Sequence, residues 1–567
     1  MSTRFCRVLI LATTAVLTAI PARAANPPHA RLVVLVYFDQ FRGDYLGRWG
    51  TEFSEGGFKR LMTDGAWFQN CHYPYAYTVT AAGHASVATG CPPADHGVVG
   101  NDWYERSAGK SVNCVGSDRH EQVPSRTNAG ADDDEKKGDR GGVSPERLLK
   151  PTIADAIKRG TGGKAKVVAL SLKNRGAALP GGKLPDACYW MDGTGLFVTS
   201  TYYPNGAHAW VTEFNKGKPA DEWRGKTWNR LRDDLDYTKL SGPDDAPGES
   251  KGVSGQGRVF PHPFEPTDPK ARSAYLSAVY ASPFGNELLL KLAEKAITAE
   301  GLGADDTPDL LSMSFSSNDA VGHAWGPDSQ EVLDVTLRSD RIVKRLLDVL
   351  DTNVGKGKYL LVMTADHGVC PLPEVSRKQG KDAARVQPTT TAKIEAFLVE
   401  KYGKGMGKWV EAISGPWVYL NPKALKATGV KQTDVEGSLA EWLAKQEGVQ
   451  AAYTRTALTA GIPVTDATGQ MVARSFRPER CGDVYMLLKP YYLSSATFGT
   501  GTTHGTPWPY DTHVPLVVYG TGIRPGVRKE RVSPLSVAAI LARAAGIEPP
   551  TGATAPVPDG LFEVRKK

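Results

Sequence analysis

Apart from its first two dozen residues, the sequence has no apolar run approaching the roughly 18 residues a bilayer-spanning helix needs, so no membrane span is expected. Its few cysteines show no C-x-x-C spacing, which argues against a cysteine-built zinc site. Glycine and proline (60 and 39 residues) follow no G-X-Y period, which excludes a collagen-like chain, and there is no internal repeat. An excess of charge is missing too. The formal net charge is +7, but Arg4, Arg7 and Arg23 fall in the first 24 residues with no acid among them. The rest of the chain carries 65 basic against 61 acidic residues, or +4, which makes no electrostatic case for a nucleic-acid partner. What remains, 41% hydrophobic and 23% charged over 567 residues, is the composition of a large, loop-rich globular enzyme.

The chain starts with an address. Arg4 and Arg7 precede an apolar stretch over residues 8–20, which ends in Pro21-Ala22-Arg23-Ala24. A basic segment, a short apolar core and an A-x-A ending predict a secretory signal peptide over residues 1–24, and with it a periplasmic or secreted protein. Cys6 lies ahead of the apolar core and is not placed for lipidation. The mature chain keeps Cys71, Cys91, Cys114, Cys188, Cys370 and Cys481, an even set that permits up to three disulfides in an oxidising compartment. Oligomeric state has no signal in the sequence, and a monomer is compatible with it.

Five apolar runs lack polar alternation, as strands buried on both faces of a parallel sheet should. They are residues 31–38 (RLVVLVYF), 166–172 (KVVALSL), 309–315 (DLLSMSF), 359–363 (YLLVM) and 514–519 (VPLVVY). Helical patterns lie between them, at 151–158, 285–297 and 331–350. The alternation predicts an α/β fold, a doubly wound, mostly parallel sheet flanked by helices. Residues 25–567 read as one catalytic domain with two insertions. One, about 185–280, is an irregular cap rich in Trp, Tyr, Gly and Pro; the other, about 390–490, is a small α+β unit. The acidic-basic run at 131–140 reads as a solvated loop.

Ligands of open α/β sheets sit beyond the carboxyl ends of the strands. Asp39 follows the first run, Lys173 and Arg175 the second, Asp319 and His323 the third, Asp366 and His367 the fourth, and His504 precedes the fifth. Singly, each is more often a cap, a turn or a surface pair. Together they bring three aspartates, three histidines and two cations to one face. Asp and His are a usual mixed ligand set for zinc, and six ligands make two three-ligand sites with open positions, as catalytic metals require. Asp319 and His323 share a helical face. Residues 78–90 (TVTAAGHASVATG) read as a loop entering a helix of small residues. Thr80 is expected at its N-cap, where backbone N–H groups favour an anion. Either Thr80 is only the cap, or it is a nucleophile activated by nearby metals, with Thr78 as the rival.

The ordered set formed by Asp39, T-x-x-x-H-x-x-x-x-T-G from Thr80, H-G-V-V-G-N-D-W from His96, K-x-R at Lys173, D-x-x-x-H at Asp319, D-H-G at Asp366 and H-G-T at His504 resembles the alkaline phosphatase superfamily. It is most similar to the exported, threonine-nucleophile alkaline phosphatases of the PafA type, near relatives of the nucleotide pyrophosphatase/phosphodiesterases. The resemblance implies two Zn²⁺ per chain. Asp39, Asp366, His367 and the Thr80 oxygen would bind one, and Asp319, His323 and His504 the other. Thr80 would attack phosphorus to form a phosphothreonine that water then hydrolyses. Asn101, Lys173 and Arg175 would hold the phosphoryl oxygens, while His84, His96 and His513 match positions that are not ligands. Small phosphate monoesters are the implied substrates: two zinc ions balance three aspartates and a threonine alkoxide, leaving Lys173 and Arg175 to offset the dianion of a monoester. A zinc-dependent phosphodiesterase or nucleotide pyrophosphatase is the alternative. A sulfatase would need C/S-x-P-x-R near Thr80, which is absent.

Overall fold

The computed structural model describes residues 29–125, 142–252, 255–264, 272–404, 407–494 and 499–563. The leader expected at 1–24 and the charged loop expected at 131–140 lie outside them.

Ten strands form the central sheet: β1 (Leu32–Phe38), β2 (Ala66–Phe68), β3 (Gln122–Val123), β4 (Val167–Ser171), β5 (Ala187–Met191), β6 (Phe197–Ser200), β7 (Asp309–Phe315), β8 (Tyr359–Thr364), β9 (Leu516–Gly520) and β10 (Gly526–Arg528). Their order is β10-β2-β9-β8-β1-β7-β4-β5-β6-β3. The central β8-β1-β7-β4-β5 run is parallel, and the unbroken apolar segments of β1, β4, β7 and β8 fit strands covered on both faces. One helical layer holds α1 (Thr80–Thr89), α2 (Ile153–Gly160), α3 (Asn174–Gly181) and α7 (Ser536–Ala545); the other holds α4 (Pro283–Glu300), α5 (Ser317–Trp325) and α6 (Gln330–Leu350). Every residue of β1, β4, β7 and β8 is buried between these layers.

Two expectations need correction here. The fifth apolar run becomes β9, which is antiparallel to β8, with Leu516 opposite Thr364. A run buried on both faces reads the same in either direction, so sequence pattern could not show the reversal. The consequence favours the site: the start of β9, not its end, lies at the carboxyl edge of β8, and His504 arrives there from the N-terminal side. The segment from 185 also begins within the main sheet, since β5 and β6 precede the irregular part. Their Tyr, Trp and Thr residues hide the strand signal among similar residues of the cap.

The cap proper lies over α6, where the buried Asp334 accepts from Trp228 Nε1 at 2.7 Å and from the Tyr237 hydroxyl at 2.8 Å. Residues 410–488 form a four-stranded antiparallel sheet, in the order Val410–Ser414, Trp417–Leu420, Val484–Leu488 and Val449–Thr454. Helices Thr391–Tyr402 and Gln432–Leu443 back it around a separate core that includes Ile394, Leu398, Trp409, Val418 and Leu439. The six cysteines are all buried, and none forms a disulfide, so the cross-links the even count permitted are not made.

Candidate metal centre and nucleophile

Level strand ends build the site. β1 and β7 run in register to Phe38 and Phe315, and the Asp39 N–H still donates to Phe315 O at 3.0 Å. That bond holds Asp39 at the sheet edge beside the start of α5. Asp366 and His367 leave β8 one strand away. Helix α5 then presents Asp319 and His323 one turn apart, and the segment before β9 delivers His504.

The six predicted ligands form two groups. Asp39, Asp366 and His367 form one and Asp319, His323 and His504 the other; within each, the candidate ligand atoms lie within 4.8 Å of one another. The groups adjoin, with the His367 and His504 rings stacked at 3.5 Å between centroids. Each histidine is fixed by its far nitrogen: Nδ1 meets Thr502 O in His323 (2.7 Å), Thr78 O in His504 (2.8 Å) and Gly368 O in His367 (2.9 Å). A backbone carbonyl can only accept, so Nδ1 carries the proton and Nε2 keeps its lone pair for the site. His367 Nε2 lies 3.5 Å from Asp39 Oδ1, and His323 Nε2 lies 3.1 Å from Asp319 Oδ1.

The donor chemistry fits cations. Asp39 Oδ1 and Asp366 Oδ2 are buried with no hydrogen-bond partner, an arrangement costing about 1–3 kcal/mol per neutral acceptor and more for a charged one. Burial, and after it the Asp366 charge, pushes the Asp39 carboxyl well above the usual carboxylate range. Against the push of burial, His367 and His84 hold Asp366 low. Lys173 supplies the positive charge on hand, its Nζ 2.6 Å from both Asp39 Oδ2 and Asp319 Oδ2. The Lys173 ammonium and the nearby Arg175 guanidinium against three buried carboxylates still leave the site short of positive charge, which a pair of Asp/His-ligated cations would supply.

Thr80 opens α1, but it is the first helical residue rather than the N-cap. Val79 occupies the cap position and makes no side-chain cap bond. One of the first free N–H groups finds another acceptor: Asn101 Oδ1 takes the Ala81 N–H at 2.9 Å. The Thr80 hydroxyl is thus released from capping, and its Oγ1 lies 3.4 Å from His367 Nε2. Thr78 is tied down instead, its hydroxyl donating to Thr506 O at 2.9 Å. The close approach of α1 to Asp366 depends on Gly83, where an added Cβ would fall 2.1 Å from Asp366 O. Arg175, on the first turn of α3, is half-buried near Cys114, with its buried Nε unpartnered.

Three residues escaped sequence reasoning or carried less weight there. Gln40 links the two groups: its backbone N–H donates to Asp366 Oδ1 at 3.1 Å and its Nε2 to Asp319 Oδ1 at 2.7 Å. It does so from a left-handed conformation with φ 63°, and Gly322 leaves room for its amide, since a Cβ there would fall 1.9 Å from Gln40 Oε1. A glutamine directly after an expected ligand was the available signal. Tyr280, from the cap, shares its surroundings with Lys173, Arg175 and Asp319; burial raises its hydroxyl to about 12 while Lys173 opposes this. His84 Nδ1 meets Thr80 O at 2.8 Å and its Nε2 meets Ser314 Oγ at 2.8 Å, joining α1 to β7. His96 is likewise structural, its Nε2 2.9 Å from Ser86 Oγ.

Residues 33–513 match the model of the type I phosphodiesterase / nucleotide pyrophosphatase family. The alkaline phosphatase PhoV of Synechococcus elongatus is 32% identical over 96% of this chain and 94% of its own length. The alkaline phosphatase PafA of Elizabethkingia meningoseptica is 33% identical over 93% of each chain. The crystal structure of wild-type PafA superposes with a TM-score of 0.86, covering 95% of this chain and all of that one.

Proposed function

Because the chain belongs to the type I phosphodiesterase / nucleotide pyrophosphatase family, within the alkaline phosphatase superfamily, we propose that it is an exported di-zinc alkaline phosphatase acting through a phosphothreonine intermediate. The relatives named alkaline phosphatases support phosphate monoester hydrolysis over the diesterase alternative. One observation carries the mechanism: two Asp/His groups meet beside a threonine hydroxyl that no cap bond holds.

Asp39, Asp366 and His367 would hold one zinc with Thr80 Oγ1, and Asp319, His323 and His504 the second. Bound there, the pair would lower the pKa of the threonine hydroxyl and of water and offset phosphoryl charge. Thr80 Oγ1 forms the new P–O bond as the ester P–O bond breaks, and the leaving alkoxide takes up a proton. Water then attacks phosphorus, the bond to Thr80 breaks, and inorganic phosphate leaves. Asn101 keeps its amide NH₂ free for a phosphoryl oxygen because its Oδ1 is occupied by α1. Lys173 stands between Asp39 and Asp319, beside the position of a phosphoryl group facing Thr80, and Arg175 adds the second positive charge that a dianion needs. His84 holds α1 in place behind the nucleophile. The leader at 1–24 supports export to the periplasm or medium. We further read the chain as one catalytic domain with its cap and α+β unit inserted, and take its partners to be small phosphate esters. Among the described residues, no helix is long and apolar enough to cross a membrane.

The test compares kcat/KM for an aryl phosphate monoester and the matching alkyl diester. The monoester should dominate, and Lys173→Ala should cut monoester turnover by about tenfold or more beyond its effect on the diester. A diester preference in the wild type would turn the reading to the diesterase alternative.

A further inference from the structure

Between His504 and β9 the chain makes a short helix, Pro509–Thr512, and its third residue is an aspartate that the mechanism does not use. Asp511 is fully buried. Its Oδ2 accepts from the Thr506 N–H at 2.9 Å and from the Thr506 hydroxyl at 2.5 Å, while Oδ1 has no partner. Taking a carboxyl out of water is unfavourable in itself, and this one is left with two hydrogen bonds to a single neighbour.

Two chains of hydrogen bonds lead from Asp511 to the two candidate ligand groups. The first runs through its side chain. Thr506, held at both its N–H and its hydroxyl, presents its carbonyl to the Thr78 hydroxyl at 2.9 Å, and Thr78 O in turn accepts from His504 Nδ1 at 2.8 Å. The second runs through the main chain. Asp511 O accepts from the Gly368 N–H at 2.7 Å, and Gly368 O meets His367 Nδ1 at 2.9 Å. Tyr510 repeats the contact one residue earlier, its carbonyl accepting from the Val369 N–H at 2.8 Å. The two imidazoles held in this way are the stacked pair, one from each group. The short helix has anchors of its own in the α+β unit: Trp508 Nε1 donates to Leu488 O at 3.1 Å, and the Tyr510 hydroxyl accepts from the Tyr491 N–H at 3.1 Å. Loss of the carboxylate should therefore loosen the segment around Thr506 and leave the helix in place.

We infer that Asp511 is a positioning residue for His504. Through Thr506 and Thr78 its carboxylate fixes the imidazole against His367, whose own carbonyl acceptor is tied to the Asp511 main chain. Partners of this kind, which touch a ligand and not the metal, set ring orientation and with it metal affinity.

This assignment rests on the two-zinc reading of the site, and zinc release separates the failure of one from the failure of the other. Release from the whole protein to a chromophoric chelator, followed with metal analysis, should show two steps in the wild type. Asp511→Ala should weaken zinc binding in one step by about 10- to 100-fold and leave the other nearly unchanged. Asp511→Asn, whose amide oxygen still accepts from Thr506, should stay within about threefold of the wild type. Thr78→Val cuts the next link and should weaken the same step, and the double variant with Asp511→Ala should be no weaker than the worse single one, because both break one chain. The Tm of the zinc-free proteins reports any plain loss of stability. Wild-type zinc release in Asp511→Ala, with or without a lower Tm, overturns the assignment, as do equal weakening of both steps and additive losses in the double variant. Should Asp511→Ala fail to fold, Thr78→Val decides, and wild-type release in it has the same force. A wild type that holds fewer than two zinc ions overturns the two-zinc reading itself, and this assignment with it.

Discussion

The two candidate ligand groups are made of different material. Asp39, Asp366 and His367 leave the ends of adjacent parallel strands and are fully buried beside Thr80. Asp319, His323 and His504 come from a helix and from the segment before an antiparallel strand, and the His323 side chain is 26% exposed. In the proposed mechanism the sheet edge would give rigidity where the nucleophile must be aligned, and the helix and segment would give access where water and a leaving group must pass. The difference should be visible in metal retention and in mutant kinetics.

The largest effect belongs to the buried group. Thr80→Ala should abolish the trapped phosphoenzyme and lower kcat by at least about a thousandfold, as read by rapid quench with labelled substrate. Persistence of the phosphoenzyme would move the role to Thr78. Asp366→Asn should match that loss, and metal analysis should show the zinc beside Thr80 gone. At the open group, His323→Ala should cost about a hundredfold, keep the buried zinc, and recover in part with added zinc. Equal losses of both ions from either variant would erase the distinction drawn here.

Acidification should separate the groups as well. Although burial opposes it, Asp319 raises His323 above the ordinary histidine value, whereas burial lowers His367. Protons therefore compete for His323 at higher pH than for His367. On acidification the open group should release its ion first, and stepwise metal analysis during titration checks the order. The smallest effect is expected at Gln40, which contacts both groups. Gln40→Ala should weaken zinc retention by about 10- to 100-fold while leaving KM for substrate little changed, and Gln40→Glu should not rescue it.

How much of this was legible follows from where each signal comes from. β1, β4, β7 and β8 were readable because strands covered on both faces need unbroken apolar runs, and Asp39, Asp366 and His367 could be singled out as candidate ligands because they closely follow two of those runs. Sequence alone could not show the reversal of β9, since burial pattern has no direction. Thr80 was assigned one position too early because Asn101, 20 residues beyond Ala81, accepts the Ala81 N–H that a cap residue would otherwise take. The family comparison explains why the motif order was specific even where single motifs were weak.

The most direct test of the central claim is an anomalous diffraction measurement at the zinc edge on crystals of the purified protein. Two peaks about 4 Å apart are predicted, one among Asp39, Asp366, His367 and Thr80 Oγ1 and the other among Asp319, His323 and His504. A single peak, or a pair beyond reach of the Thr80 hydroxyl, would contradict the account.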